Sequence, residues 1–187
     1  MKLKTLLQEK RSKILKRWIS LILDTYPAES ALFFQNQKNR FSNPVGSIIA
    51  QGAEDLFNGI LEDKKSDDVS IFLDNIIRVR AVQEFSPSQA ISFVFLLKKV
   101  LREEVDKETG EDNVKEELLA VESRIDELAL LAFDIFMKCR EKIYELKAVQ
   151  LNNETYSLLK RAKLIVDLDE QKKDPAKESI EKFNEMR

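Results

Sequence analysis

The sequence predicts an all-α protein of about six to seven helices, the last of them long. Glycine and proline number only four each in 187 residues, which leaves few punctuation points for strands and hairpins. Long segments rich in Leu, Glu and Lys place their apolar residues at helical spacing. Between Ile71 and Val105 two such segments meet at one sharp joint, Phe85-Ser86-Pro87-Ser88-Gln89.

Composition narrows the chemistry. The formal charge is −2, so no general attraction to nucleic acid is implied. A single cysteine allows neither an intramolecular disulfide nor a thiolate metal cluster, and fits a reducing cytoplasm. Histidine is absent, which removes the usual general base, metal ligand and haem ligand together. No apolar run approaches the ~20 residues that a membrane span needs. The length suits one domain with a proper core, or a domain with an extension.

A first helix is predicted over 3–23, with Leu3, Leu7, Ile14, Trp18 and Ile22 on one side. Its remaining faces are basic (Lys4, Lys10, Arg11, Lys13, Lys16, Arg17), so it either packs on a core with a solvated basic face or rests on an anionic membrane. Asp24-Thr25-Tyr26-Pro27 ends it, because the residue before a proline leaves the α region. A short helix near 29–34 and a polar loop over 35–40 follow. Asn43 caps the next helix, with Pro44 at its first position, and this helix runs to about Glu62. Gly46, Gly52 and Gly59 inside it cost ~1 kcal/mol each against alanine. No strand precedes them, so close helix–helix approach explains them better than a nucleotide loop. Asp67 or Asp68 is expected to cap the helix after that.

At the joint, Ser86 can accept from the Gln89 amide while the Gln89 side chain returns to the Ser86 N–H, and Pro87 takes the first helical position. The charged residues just upstream are the more informative. Val69, Phe72, Leu73, Ile76, Ile77 and Val79 centre on one helix face, and Arg80 falls in its middle; Arg78 points the other way. A guanidinium in an apolar stripe cannot shed its charge. It needs an acid such as Asp74, Glu84 or one on a neighbouring helix, or it snorkels outward, or it anchors a ligand or partner. Arg78 and Arg80 are therefore the candidate contacts for a ligand or partner.

The second helix of the pair is expected to bury Ile91, Phe93, Val94, Phe95, Leu97, Val100 and Leu101, and 107–113 reads as a linker. Beyond it Val114, Leu118, Val121, Ile125, Leu128, Ala132, Ile135, Cys139, Leu146 and Val149 step by fours and threes, a sustained heptad seam. Leu118, Val121, Ile125, Leu128, Ile135 and Leu146 are accordingly the expected dimer seam, unless the seam is spent within the fold. Cys139 lies on it with no histidine to activate its thiol, and reads as a small hydrophobe. Glu103-Glu104 and Asp67-Asp68 read as solvated acids. Residues 151–168 continue helically, and 169–187 are almost wholly polar and read as a loosely ordered tail.

Three stretches carry a family resemblance: Asp24-Thr25-Tyr26-Pro27, Phe41-Ser42-Asn43-Pro44-Val45-Gly46, and Ile77 to Ala90 with Phe93 to Lys99 after it. In this order they resemble the N-terminal domain of the RsbR-type RsbT co-antagonists, the RsbRD subgroup, over about residues 5–150. The resemblance implies a globin-like helical bundle without haem, homodimeric, acting as the input domain of bacterial stress signalling in the stressosome. It places residues 1–150 in that domain. The STAS domain that follows in such proteins is not expected in the remaining residues, which lack alternating strands.

The function expected from residues and resemblance together is a non-catalytic, cytoplasmic signalling input domain. It would act through dimerisation and through a regulatory protein partner or small effector, without cofactor or metal. The alternative is a structural adaptor that docks a larger or membrane-associated complex through its long helix and tail. Nowhere does the sequence assemble the acid–base and nucleophilic groups of an enzyme.

Overall fold

The computed structural model describes residues 2–36, 39–83, 85–108 and 112–165. These form seven helices and no strand: α1 (Leu3–Glu9), α2 (Arg11–Leu23), α3 (Ala28–Asn36), α4 (Pro44–Leu61), α5 (Ser66–Val82), α6 (Pro87–Glu108) and α7 (Asp112–Arg161). The chain divides into two units, residues 1–142 and 143–187. The tail expected over 169–187 lies outside the described residues.

In the first unit, the helix predicted over 3–23 is two helices. The break falls at Lys10, inside a stretch, Gln8–Lys13, without an apolar side chain to hold both segments on one core. Both segments nevertheless bury the predicted side, with Leu3, Leu7, Ile14, Trp18 and Ile22 all inside. The Trp18 indole donates to the carbonyl of Phe93 at 2.7 Å, so its one polar group is satisfied within the core. The basic face is partly paired: Arg11 binds Glu54, and Lys13 Nζ lies 2.6 Å from Glu104 Oε2.

α4 begins as the sequence dictates. Asn43 accepts from the Gly46 amide at 2.8 Å, with Pro44 at the first helical position. It ends on Asp63 in the left-handed region (φ 56°), where the Lys64 amide reaches back to the Gly59 carbonyl. The most extensive helix pair is α4 against α5. It depends on Gly52, where an added Cβ would stand 2.7 Å from Ile76 Cγ1. The expected Asp67 or Asp68 cap is not used: α5 starts at Ser66, and its N-cap is Lys65, which makes no side-chain capping bond. Helix starts slide by a residue or two where several polar residues can serve, and here the start lies ahead of both expected caps.

The α5–α6 joint carries the predicted reciprocal bonds. The Ser86 amide donates to Gln89 Oε1 at 3.0 Å, and the Gln89 amide donates to Ser86 Oγ at 3.3 Å. α6 outlasts its expected end and reaches Glu108. Of the residues expected inside it, Phe95 is 45% exposed and Ile91 only half-buried, because they lie off the face that meets the core. α7 returns antiparallel to α6, tied by Lys98 to Asp126 and by Arg102 to the buried carboxylate of Glu122. Elsewhere in this unit Glu117 accepts from the Leu3 amide at 2.8 Å, and Arg140 donates to the Ala81 carbonyl at the end of α5.

The second unit is described by residues 143–165. They form the remainder of α7 and its end, with Lys163 in the left-handed region (φ 58°). No described side chain there is buried, and Tyr144, Leu146, Val149, Leu151 and Leu158 are each more than half exposed.

Candidate functional site

The candidate site is an aromatic cage around the guanidinium of Arg80. It forms where two corners of the fold meet, the α2–α3 corner (Thr25, Tyr26, Pro27) and the α5–α6 joint (Phe85 to Gln89). Arg80 sits in the last turn of α5, on the apolar face predicted for it, and is fully buried. Its Cζ lies 4.3 Å from the ring centre of Phe85, 5.3 Å from that of Tyr26 and 5.7 Å from that of Phe93. Such contacts favour a cation by up to ~2 kcal/mol when water is excluded.

The hydrogen bonds of the guanidinium are incomplete. Nη2 donates to Thr25 Oγ1 at 2.9 Å and to the Gln89 carbonyl at 3.1 Å, whereas Nε and Nη1 are buried with no acceptor. No carboxylate among the described residues pairs with it. The sequence offered three sources of an acid: Asp74 is taken by Arg78, no described residue of a neighbouring helix supplies one, and Glu84 lies outside the described residues. Burial pulls the Arg80 guanidinium below its ordinary value, partly opposed by Tyr26. The same burial raises the Tyr26 phenol, against the pull of the Arg80 charge. A guanidinium keeps its proton in proteins, so a full positive charge is enclosed.

A cavity of about 450 Å³ adjoins the cage. Its lining includes the Arg80 partners Thr25, Tyr26, Phe85 and Gln89, together with Phe34 and Gln83. Two lining groups, the Tyr26 hydroxyl and Gln83 Oε1, are buried without hydrogen-bond partners. Tyr26 meets Phe34 and Phe85 edge-on at 5.2 and 5.1 Å, which fixes one side of the wall. Phe34 is held in turn by Asn43, whose Nδ2 donates to its carbonyl at 2.8 Å. Two of the three stretches that carried the family resemblance supply residues of the cage, and the third reaches its wall through the Asn43 bond to the Phe34 carbonyl.

Arg78 is elsewhere. It is exposed, bound to Asp74 one turn earlier, and faces a separate recess with Arg40, Ser47, Gln51 and Asp55. Of the seam residues, Leu118, Ile125 and Leu128 are buried in the core of the first unit, and Val121 and Ile135 are half-buried against it. Leu146, in the second unit, is 59% exposed. Cys139 is half-buried, and burial pushes its thiol up, outweighing the nearby Arg78. It is no activated nucleophile.

Sequence reasoning selected Arg80 but missed its cage. Thr25, Tyr26 and Phe85 registered only as helix ends, and nothing local in the chain pairs position 25 with position 80, 55 residues away. The available signal was the resemblance, whose stretches contained both corners.

No solved structure matches the chain. An uncharacterized protein of Archaeoglobus fulgidus is 28% identical over 140 residues, covering 73% of this chain and 82% of that protein. Residues 12–151 match the family model described as the RsbT co-antagonist protein rsbRD N-terminal domain. That span contains the whole of the cage and most of α7, and the chain belongs to this family of N-terminal regulatory domains.

Proposed function

We propose that this chain is a non-catalytic signalling input domain that binds a small effector or a regulatory partner and works as a homodimer in the cytoplasm. The observation that carries the reading is the enclosed charge of Arg80 beside a cavity. A buried cation without a counter-charge costs several kcal/mol of desolvation, and cation–π contacts and two hydrogen bonds only offset it. An arrangement of that kind is suited to be completed by something that arrives. Family membership supports a regulatory role, and the globin-like, stressosome-linked reading extends the resemblance. Arg80 is the contact favoured for the effector; Arg78, on an open surface, suits a protein partner.

Dimerisation draws support from α7. The stretch after Lys142 carries Leu146, Val149, Leu151 and Leu158, each more than half exposed, and apolar side chains in such a row gain from burial against a second copy. Leu118, Ile125 and Leu128, expected in the seam, are spent in the core of the first unit and cannot meet a second copy, and Val121 and Ile135 are half-buried against that core. We assign the dimer contact to Leu146 and its exposed apolar neighbours. That same exposed stretch favours the second reading, an adaptor that docks a larger complex through the long helix.

Native mass spectrometry of the purified chain tests the proposal. The expected result is a dimer, with extra mass where an effector is retained, and denaturation removes that mass. A bare monomer at micromolar concentration overturns the dimer, and a monomer that becomes a stable complex only with another protein supports the adaptor.

A further inference from the structure

The geometry around Arg80 points to a class of effector: we propose that the adjoining cavity takes a small monocarboxylate with an apolar body, whose carboxylate completes the guanidinium after the Phe85 ring moves aside. The inference rests on the input-domain reading above and narrows it. Its first support is charge. The cage encloses one positive charge, and no described carboxylate pairs with it. One negative charge balances it, whereas a dianion would bury an excess.

The second support is the set of unused donors. Arg80 Nε and Nη1 and the Tyr26 hydroxyl are all buried and unpartnered. The Gln83 amide, whose oxygen is also unpartnered, presents its NH2 instead after a half-turn about its terminal bond. Donors in excess of acceptors select an anion over a neutral or cationic ligand. A carboxylate, with two oxygens and about four lone-pair directions, can use several of them at once.

The third support is the wall. Tyr26, Phe34, Phe85 and Pro27 give the cavity aromatic and aliphatic faces, and about 450 Å³ suits a small organic acid rather than a bare ion. The Phe85 ring both lines the cavity and lies 4.3 Å from the Arg80 Cζ. Phe85 is also the first residue of the α5–α6 joint, directly before the Ser86 cap. Moving its ring therefore acts on the joint that sets α6 against α5, a route from ligand to helix geometry that depends on two discrete positions of one ring.

The test uses the full chain with benzoate and butyrate as probes, against benzamide and butyramide as neutral matches of the same shape. Binding is read by calorimetry and by the aromatic resonances of Tyr26 and Phe85. The carboxylates are expected to bind saturably, at least about tenfold tighter than the amides, and to shift both rings. Arg80→Met should lose at least about tenfold in carboxylate affinity, and Tyr26→Phe about threefold or more, while binding of the neutral amides changes little. If Arg80→Met does not fold, the Tyr26→Phe variant and the carboxylate–amide comparison still decide. Amides that bind as tightly as the acids, with the same ring shifts, leave an effector cavity and overturn the anionic class. Acids that bind equally to Arg80→Met, or that leave both rings unmoved, overturn the site, whereas the oligomer measured by native mass spectrometry stands or falls separately.

Discussion

At the residue scale, two side-chain positions show how local cost and tertiary gain trade against each other. Gly52 weakens α4 by ~1 kcal/mol against alanine, judged by helix propensity. It is retained by packing, because Ile76 of α5 occupies the space a Cβ would need, with Cγ1 at 2.7 Å and Cδ1 at 2.9 Å. Ile76 is fully buried and has nowhere to retreat. Gly52→Ala is therefore expected to destabilise the protein by a net ~1–3 kcal/mol despite the better propensity, measured by urea denaturation. A gain in stability would show that α4 and α5 part easily. Arg80 is the second case. Its burial is unfavourable in isolation, and the rings of Tyr26, Phe85 and Phe93 make it tolerable without supplying the missing acceptors for Nε and Nη1.

At the element scale, α6 is held at both its ends. Its start is set by the Ser86–Gln89 reciprocal cap, and its buried residues meet α2 through the Trp18 bond to Phe93. Near its end Glu104, expected as a solvated acid, is instead buried, and its carboxylate takes Lys13 from α2 and Lys107 from its own last turn. Those two ammonium groups, Lys13 foremost, hold the Glu104 carboxyl below its ordinary value against the opposing effect of burial. A carboxyl depressed in the folded state contributes stability that is fully present above its unfolded value. That contribution is lost as pH falls through the lower, folded value. Stability is thus expected to drop on acidification below about pH 4.5, and Glu104→Gln should flatten that part of the profile. Melting curves between pH 3 and pH 7 would check this; an unchanged acid limb in the variant would rule out Glu104 as a contributor.

Much of the element scale was legible in the chain. The Asn43–Pro44 start of α4, the Ser86–Gln89 joint and the buried stripe of α5 all follow from capping chemistry and helical period, which act within a few residues. The places where the reading slipped have the same origin. Lys10 breaks α1 from α2 with no Pro or Gly to announce it, and α5 starts at Ser66 because several polar residues there compete as starts. Both ends are settled by which apolar residues reach the core, and the local sequence does not carry that information.

At the scale of the whole molecule, every buried apolar residue in the described chain lies between Leu3 and Phe136, inside the first unit. A chain cut after Lys142 is therefore expected to keep its core and to melt within a few degrees of the full chain, since no buried side chain is removed. If Leu146 and its exposed neighbours form the dimer contact, the same truncation should also convert dimer to monomer in light scattering. A truncated protein that stays dimeric would move the contact to exposed apolar residues of the first unit, such as Leu130, Phe133 and Met137. A truncated protein that unfolds would show that the first unit depends on the second.

The sequence by itself determined that the chain is helical, where most helices begin, which face of each is apolar, and that one arginine would be caught in an apolar stripe. These are properties of short range: period, caps and side-chain charge. Only the tertiary structure decided what that arginine meets. Thr25 and Tyr26 come from one corner, Phe85 and Gln89 from another, and Phe93 from the helix beyond, and their approach depends on how α2, α5 and α6 pack. It also decided that Leu118, Ile125 and Leu128 go into a core while Leu146 faces outward, although all four share one heptad pattern. A period tells which residues share a face of a helix, and only the neighbours of that helix tell how much of the face is covered.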